Sequence, residues 1–80
     1  MTTDAILDEI NQTATMLLGP SMADLQPETE LRSVGLDSLD IVEVVTVIES
    51  TFEVKLEDAA LKEVRTAGEL AGVISKALAA

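Results

Sequence analysis

The sequence predicts an all-α fold, a small bundle of three long helices and one short helix, with a long loop between the first two. Three segments repeat apolar residues at three- and four-residue spacing, which is typical of helices with one buried face. Hairpin turn signals are absent, so no sheet is expected. No internal repeat or linker divides the chain, and residues 1–80 are therefore expected to form a single domain.

The first helix is predicted from about Asp4 to Leu18. Thr2, Thr3 and Asp4 are suitable N-cap residues, because their side-chain oxygens can accept hydrogen bonds from first-turn N–H groups. Gly19-Pro20 is a clear stop signal after the last turn. The apolar spacing predicts a buried face made of Ile6, Ile10, Thr13, Ala14 and Leu17.

A long loop is expected from Gly19 to Gly35, because this segment contains two prolines and two glycines among polar residues. Loops of this length are uncommon in compact domains and are often functional. Four apolar side chains are expected to hold the loop on the core, namely Met22, Leu25, Leu31 and Val34.

The second helix is predicted to begin near Asp37 or Ser38 and to end near Phe52. A cluster of valines favours a strand by propensity alone, but the helical period and the neighbouring glutamates outweigh it. At about 100° per residue, one continuous arc forms the expected core face. Its members are Ile41, Val44, Val45, Ile48 and Phe52.

The same helix has a second apolar face, and this face also carries acids. Leu39, Val42 and Thr46 fall there, beside Glu43 and Glu49. On one interpretation Leu39 and Val42 pack beneath the long loop. On the other they form an exposed patch where partner proteins dock, with apolar contact area and acids that orient the partner.

The chain after the second helix predicts a short helical turn and a final long helix. The turn is expected around Asp58 to Leu61. Thr66 and Glu69 have the spacing of a capping box and mark the start of the final helix. Its expected buried face consists of Leu70, Val73, Ile74, Ala77 and Leu78.

Composition narrows the function classes. With 15 acidic and 5 basic residues the net charge is −10, which disfavours nucleic acid and anionic membrane surfaces and favours partners with basic patches. The chain has neither cysteine nor histidine, so the commonest general base and the usual transition-metal ligands are missing. We therefore expect no catalytic residues, no metal site, no membrane insertion and no enzyme activity. A cytoplasmic location is expected because signal-peptide and membrane-span patterns are absent.

Ser38 stands where the long loop meets the second helix. On one interpretation Asp37 or Ser38 is the N-cap of this helix, because most serines and aspartates at helix starts are caps. The same position also suits a phosphate ester, because unpaired backbone N–H groups and the helix dipole favour an anion there. Judged by position alone, the cap is the simpler interpretation.

The segment Gly35-Leu36-Asp37-Ser38-Leu39 resembles the G-x-D-S-L phosphopantetheine-attachment motif of acyl carrier proteins. The resemblance continues through Asp40, Val42, Glu43 and Phe52, and length, acidity and helix order agree with it. It implies that a phosphopantetheinyl transferase attaches 4'-phosphopantetheine to Ser38, with Asp37 assisting the metal-dependent transfer. The arm would then supply the thiol that the chain lacks.

The resemblance also implies how the chain meets its partners. The family's partner-binding surface maps onto Leu39, Asp40, Val42, Glu43, Thr46 and Glu49. The partners expected are acyltransferase- or ketosynthase-type enzymes, or acyl-activating enzymes, with basic surfaces, and the carrier is expected to be a monomer. A short acyl chain could shelter between the helices near Ile41, Val45, Ile48 and Leu61, although a fully packed core is an equal alternative.

The pathway is less strongly indicated. Arg32-Ser33-Val34 precedes the motif where fatty-acid carriers usually have an acidic residue, which favours polyketide or other specialised biosynthesis and a discrete, stand-alone carrier. Asp40 is instead a fatty-acid-type feature, so a housekeeping carrier remains an alternative, as does a D-alanyl carrier. A peptidyl carrier is disfavoured because Leu36 stands where a second glycine is usual. An acidic helical interaction module without a prosthetic group is the alternative from another class.

Overall fold

Four helices form the fold of residues 2–79, and the all-α prediction is confirmed. The computed structural model describes residues 2–79. The helices are α1 (Thr3–Leu18), α2 (Ser38–Phe52), α3 (Asp58–Lys62) and α4 (Ala67–Ala79), and two 3₁₀ turns, Pro20–Met22 and Leu31–Val34, lie in the long loop. The predicted helix limits agree with these bounds to within a residue or two. None of the helices in residues 2–79 combines the length and the apolar character that crossing a bilayer requires.

The core lies where α1 packs against both α2 and α4. Each long helix contributes branched aliphatic side chains to this centre, and the loop adds Leu31 and Leu25. Burial of such side chains is the main favourable contribution to folding. The most deeply buried large residues are Ile6, Ile10, Leu31, Ile48, Leu70 and Ile74.

Some predicted core positions were wrong in detail. Leu17 is exposed, although it lies in the same arc as Ile10 and Ala14, because it belongs to the last turn of α1 before the chain turns away at Gly19. Leu7 is buried instead. In α4 the buried face is centred on Ala67, Leu70, Ala71 and Ile74, whereas Val73, Ala77 and Leu78 are only half-buried at its flank and end.

The long loop is fastened at two places. The Asn11 side-chain amide donates to the Leu25 carbonyl and accepts from the Leu25 N–H, both at 3.2 Å. Further along, Leu31 N–H donates to the Arg65 carbonyl at 2.9 Å, next to an isolated antiparallel bridge between Glu30 and Thr66. These bonds fix the loop against α1 and the start of α4, and so fix the approach to α2.

The start of α4 carries the predicted capping box. Thr66 Oγ1 accepts from Glu69 N–H at 3.1 Å, and Glu69 Oε1 accepts from the N–H groups of Thr66 and Arg65 at 2.9 and 2.8 Å. These backbone donors, Arg65 first and then Thr66, lower the pKa of the Glu69 carboxyl below its ordinary value. The same turn is held to the loop, because Gly68 N–H donates to the Pro27 carbonyl at 2.8 Å.

Candidate functional site

The first turn of α2 is built by two aspartates that cap each other. Asp37 Oδ1 accepts from Asp40 N–H at 2.9 Å, and Asp40 Oδ2 accepts from Asp37 N–H at 3.2 Å. Gly35, with a φ of 93°, reverses the chain just before them, in a region of backbone conformation that favours glycine. The result is a sharply defined helix start with Ser38 as its first residue.

Ser38 is exposed at this helix start. Among residues 2–79, no hydrogen bond engages its hydroxyl, and the N–H groups of Ser38 and Leu39 have no acceptor. Of the two residues expected as possible caps, Asp37 is the one that caps the helix, and Ser38 is not. A free hydroxyl beside two free N–H groups fits the ester phosphate of a phosphopantetheine arm, because those donors can face the phosphate oxygens.

Asp37 has one carboxylate oxygen available after capping, since only Oδ1 bonds to the Asp40 N–H. Within the described part of the chain, no three acidic side chains come together as a metal site. Assistance by Asp37 in a metal-dependent transfer would therefore require the transferase to supply most of the metal's ligands.

The second apolar face of α2 points to solvent. Leu39 is 73% exposed and Val42 is 55% exposed, so neither packs beneath the long loop. Glu43 and Thr46 are exposed beside them, and Asp40 is half-buried. Exposed apolar side chains next to acids, one turn from Ser38, have the composition of a docking surface.

Glu49 differs from the other members of the predicted partner surface. It is half-buried, and its Oε2 accepts from Leu56 N–H at 2.7 Å. This bond ties the segment after α2 back onto the helix. The structure therefore gives Glu49 an internal contact, and its role toward partners stays a prediction.

A cleft of about 850 Å³ opens beside Ser38, between α2, α3 and the long loop. Apolar side chains of Leu31, Ile41, Leu61 and Val64 line it, together with the exposed Val42. Charged side chains line the rest, namely Glu30, Arg32, Asp58, Lys62 and Arg65. The cleft is thus partly apolar and partly charged, and Ser38 belongs to its lining.

The structure separates the four residues around which a short acyl chain was expected to shelter. Ile41 and Leu61 line the cleft, but Val45 and Ile48 are buried in the core and are not part of its lining. Ile41 is half-buried and packs at the edge of the core. The sheltering of an acyl chain stays a prediction.

Sequence reasoning missed the cationic residues of the cleft. Arg32 lies in the second 3₁₀ turn, Lys62 ends α3, and Arg65 precedes α4. The three basic residues come from three separate segments, so no local sequence motif indicates that they lie together. The sequence shows only that basic residues are scarce, with five in the chain. The structure places three of these five in the lining of this cleft.

Comparison with known proteins finds similarity over most of the chain. A family model described as a phosphopantetheine attachment site matches residues 7–74. An acyl carrier protein from Thermotoga maritima is 33% identical, and the match covers 94% of each chain. An acyl carrier protein from an Exiguobacterium species is 27% identical over 98% of this chain and its whole length.

Solved structures give the same result at the level of the fold. The acetyl form of the actinorhodin acyl carrier protein from Streptomyces coelicolor superposes with a TM-score of 0.73 at 28% identity. The 3-oxo-butyl form, an intermediate mimic from the actinorhodin polyketide synthase of the same organism, gives 0.70 at 29% identity. Each match covers 99% of this chain and 92% of the other.

Proposed function

The chain belongs to the acyl carrier protein family, and from that premise we propose that Ser38 bears its 4'-phosphopantetheine arm and that the protein serves polyketide or other specialised biosynthesis. The members of this family are carriers rather than enzymes. As an acyl carrier it holds acyl groups as thioesters on a prosthetic arm. The observation that carries the assignment to Ser38 is its exposed hydroxyl at the first position of α2, which, like the neighbouring N–H groups, has no hydrogen-bond partner within residues 2–79.

The arm's attachment is a phosphoryl transfer from coenzyme A. The Ser38 hydroxyl oxygen bonds to the phosphorus on the pantetheine side, the bond between that phosphorus and the bridging oxygen breaks, and the nucleotide half leaves with that oxygen. The serine proton passes to a base of the transferase. In this chain, the Asp37–Asp40 capping box positions the Ser38 hydroxyl, and the free N–H groups can face the new phosphodiester.

The exposed acidic face is the proposed surface for the transferase and for the enzymes that load and use the cargo. Leu39 and Val42 offer apolar contact, and Glu43 offers charge to a basic partner. Its position next to Ser38 would bring the arm to the partner's active site. Asp40, Thr46 and Glu49 belong to the same proposed surface, although their polar side-chain atoms also bond within the chain.

Two observations support a specialised pathway. The two structural relatives described above are carriers of actinorhodin biosynthesis, one of them named with its polyketide synthase. In addition, Arg32 stands before the motif where an acidic residue would favour the fatty-acid type.

The alternative without a prosthetic group is disfavoured, because the match to the phosphopantetheine attachment family includes the whole α2 region. A housekeeping role in fatty-acid synthesis is the remaining competitor. The Asp40 that suggested it acts in the capping box, where it has a structural function independent of pathway.

Intact-mass measurement tests the attachment site. Incubation with coenzyme A and a broad-specificity phosphopantetheinyl transferase should add one phosphopantetheine, and Ser38→Ala should abolish the gain. Ser50→Ala removes another exposed serine of α2 and should load like the wild type. Loading of Ser38→Ala, or no loading of the folded wild type, would overturn the assignment.

A second measurement tests the pathway. The loaded carrier should support chain elongation by a polyketide ketosynthase faster than by the fatty-acid ketosynthase of the same organism. Equal or faster use by the fatty-acid enzyme would assign the chain to the housekeeping role.

A further inference from the structure

The cleft beside Ser38 collects positive charge on a protein that is otherwise strongly negative. Arg32, Lys62 and Arg65 line it, and the two other basic residues, Lys55 and Lys76, do not. Glu30 and Asp58 are its acidic members, so the lining has a formal charge of +1 where the whole chain has −10. A general acidic surface does not require this concentration of cations.

Main-chain hydrogen bonds fix two of the segments that carry these cations. The Leu31 N–H bond to the Arg65 carbonyl, 2.9 Å, ties the 3₁₀ turn that carries Arg32 to the segment that carries Arg65. Gly35 N–H donates to the Arg32 carbonyl at 3.1 Å and links this turn to the approach to Ser38. Arg32 and Arg65 are therefore held near the attachment point by main-chain bonds rather than by their own side chains.

Apolar residues also line the cleft. Ile41, Leu61 and Val64 are half-buried, so their accessible parts offer contact to a short hydrocarbon segment. The volume of about 850 Å³ lies within the usual range for small-molecule sites. A ligand that matches the whole lining has a short apolar middle and an anionic end.

We propose that this cleft binds the acyl cargo on the Ser38 arm, and that Arg32, Lys62 and Arg65 hold a carboxylate at the cargo's free end. This inference rests on the proposed attachment at Ser38. The ligand class is a dicarboxylic acyl group, bound to the arm through one carboxyl and free at the other. Guanidinium groups suit this task because their planar donors match a carboxylate and remain charged at all working pH values.

The titration of the cargo itself tests the site. The carrier is loaded with a pantetheine arm that ends in a glutaryl group, joined by an amide in place of the thioester and ¹³C-labelled at its free carboxyl. In the cationic cleft the pKa of that carboxyl should lie about half a pH unit below the pKa of the same carboxyl on an arm that is not attached to the protein, as expected for exposed ion pairs. Anywhere else on a protein of charge −10 the pKa should stay equal or rise.

Charge-removing variants identify the residues. Arg32→Gln, Lys62→Gln and Arg65→Gln should each bring the cargo pKa toward the free value, and the triple variant should abolish the difference. Lys76→Gln removes an exposed cation that does not line the cleft and should leave most of the difference in place. Added salt of about 0.5 M should weaken the effect, because exposed pairs are screened.

A neutral cargo supplies the matched control for position. The glutaryl arm should occupy the cleft roughly two- to fivefold more than the isosteric arm that ends in a primary amide. The amide-proton shifts of Ile41, Leu61 and Val64 should therefore change more with the glutaryl arm. Equal shifts with both cargoes, or a cargo pKa unaffected by the triple variant, would overturn the proposal.

The arm's own phosphate is the competing anion for these cations. If they bind it, the ³¹P shift of the unloaded carrier should change in Arg32→Gln while the cargo pKa does not, which would also overturn the proposal. Failure to gain mass with coenzyme A is a separate result, and it would overturn the attachment at Ser38 instead.

Discussion

Asp37 and Asp40 cap each other across the first turn of α2, with each carboxylate accepting the other residue's backbone N–H, at 2.9 and 3.2 Å. Because of this reciprocal pair, Ser38 is not needed as a cap. Asp37 can therefore contribute in two separable ways. Its side-chain oxygen caps the helix, which requires only a hydrogen-bond acceptor, and its charge could assist a metal-dependent transfer.

Replacement of Asp37 separates these contributions. Asp37→Asn should keep the cap and cost a few tenths of a kcal/mol at most, because asparagine and aspartate are similar N-cap residues. Asp37→Ala should cost about 1 kcal/mol of unfolding free energy. If the charge assists the transfer, Asp37→Asn should load far more slowly than the wild type at saturating magnesium. An Asn variant that loads normally would limit Asp37 to capping.

The exposed face of α2 predicts variants that affect partners without affecting the fold. Leu39→Ala and Val42→Ala should change the unfolding free energy by about 0.5 kcal/mol or less, since both side chains are exposed. Both should weaken transfer of the loaded arm to a cognate enzyme. Ile48→Ala, in the core of the same helix, should instead cost about 2–5 kcal/mol. Normal enzyme turnover with the double variant Leu39→Ala, Val42→Ala would exclude this face as the docking surface.

Two glycines of α4 should respond oppositely to alanine. A Cβ at Gly68 would lie 2.7 Å from the Pro27 carbonyl oxygen, so Gly68→Ala should destabilise by about 1–3 kcal/mol through displacement of the loop. A Cβ at Gly72 meets nothing within 4 Å, and Gly72→Ala should stabilise by about 0.5–1 kcal/mol through higher helix propensity. Chemical denaturation of both variants measures the contrast. A Gly68 variant as stable as the wild type would show that the loop can move away freely.

Glu53 ends α2 in the left-handed conformation, with φ 55° and ψ 46°. Glycine adopts this conformation without strain, so Glu53→Gly should raise the unfolding free energy by about 0.5–1 kcal/mol. Glu63 is the matched control, because it caps α3 with an ordinary right-handed φ of −92°. Glu63→Gly should lower stability. Thermal melts that rank the two glycine variants the other way would contradict this assignment.

The Glu69 capping box predicts a pH dependence of stability. The pKa of its carboxyl is lowered by the N–H groups of Arg65 and Thr66, from an ordinary value of 4.5. A carboxyl whose pKa is lower in the folded state stabilises fully above its unfolded pKa, and the contribution is lost as pH falls through the folded value. The stability difference between wild type and Glu69→Gln should therefore be constant near pH 7 and shrink below about pH 4.5. A difference that stays flat down to pH 3 would refute the link.

Most of the helical framework follows from local sequence. The caps and stops lie within a few residues of the helix ends they determine, as Asp37 does for α2 and Thr66 for α4, so the bounds could be predicted closely. The motif around Ser38 is equally local, so the resemblance to the family could be seen in the sequence, and the family match confirms it. The net charge and the missing thiol are properties of composition alone.

Only the tertiary structure decided which apolar faces the bundle covers. Both faces of α2 are apolar in sequence, and the packing of α2 against α1 leaves Leu39 and Val42 exposed. The cationic cleft required still more distant contacts, because the Leu31–Arg65 bond brings together segments separated by the whole of α2 and α3. Local periodicity fixes the direction of each side chain around its own helix, but not which neighbour meets it, and that depends on how loops and helices far apart in the chain pack together.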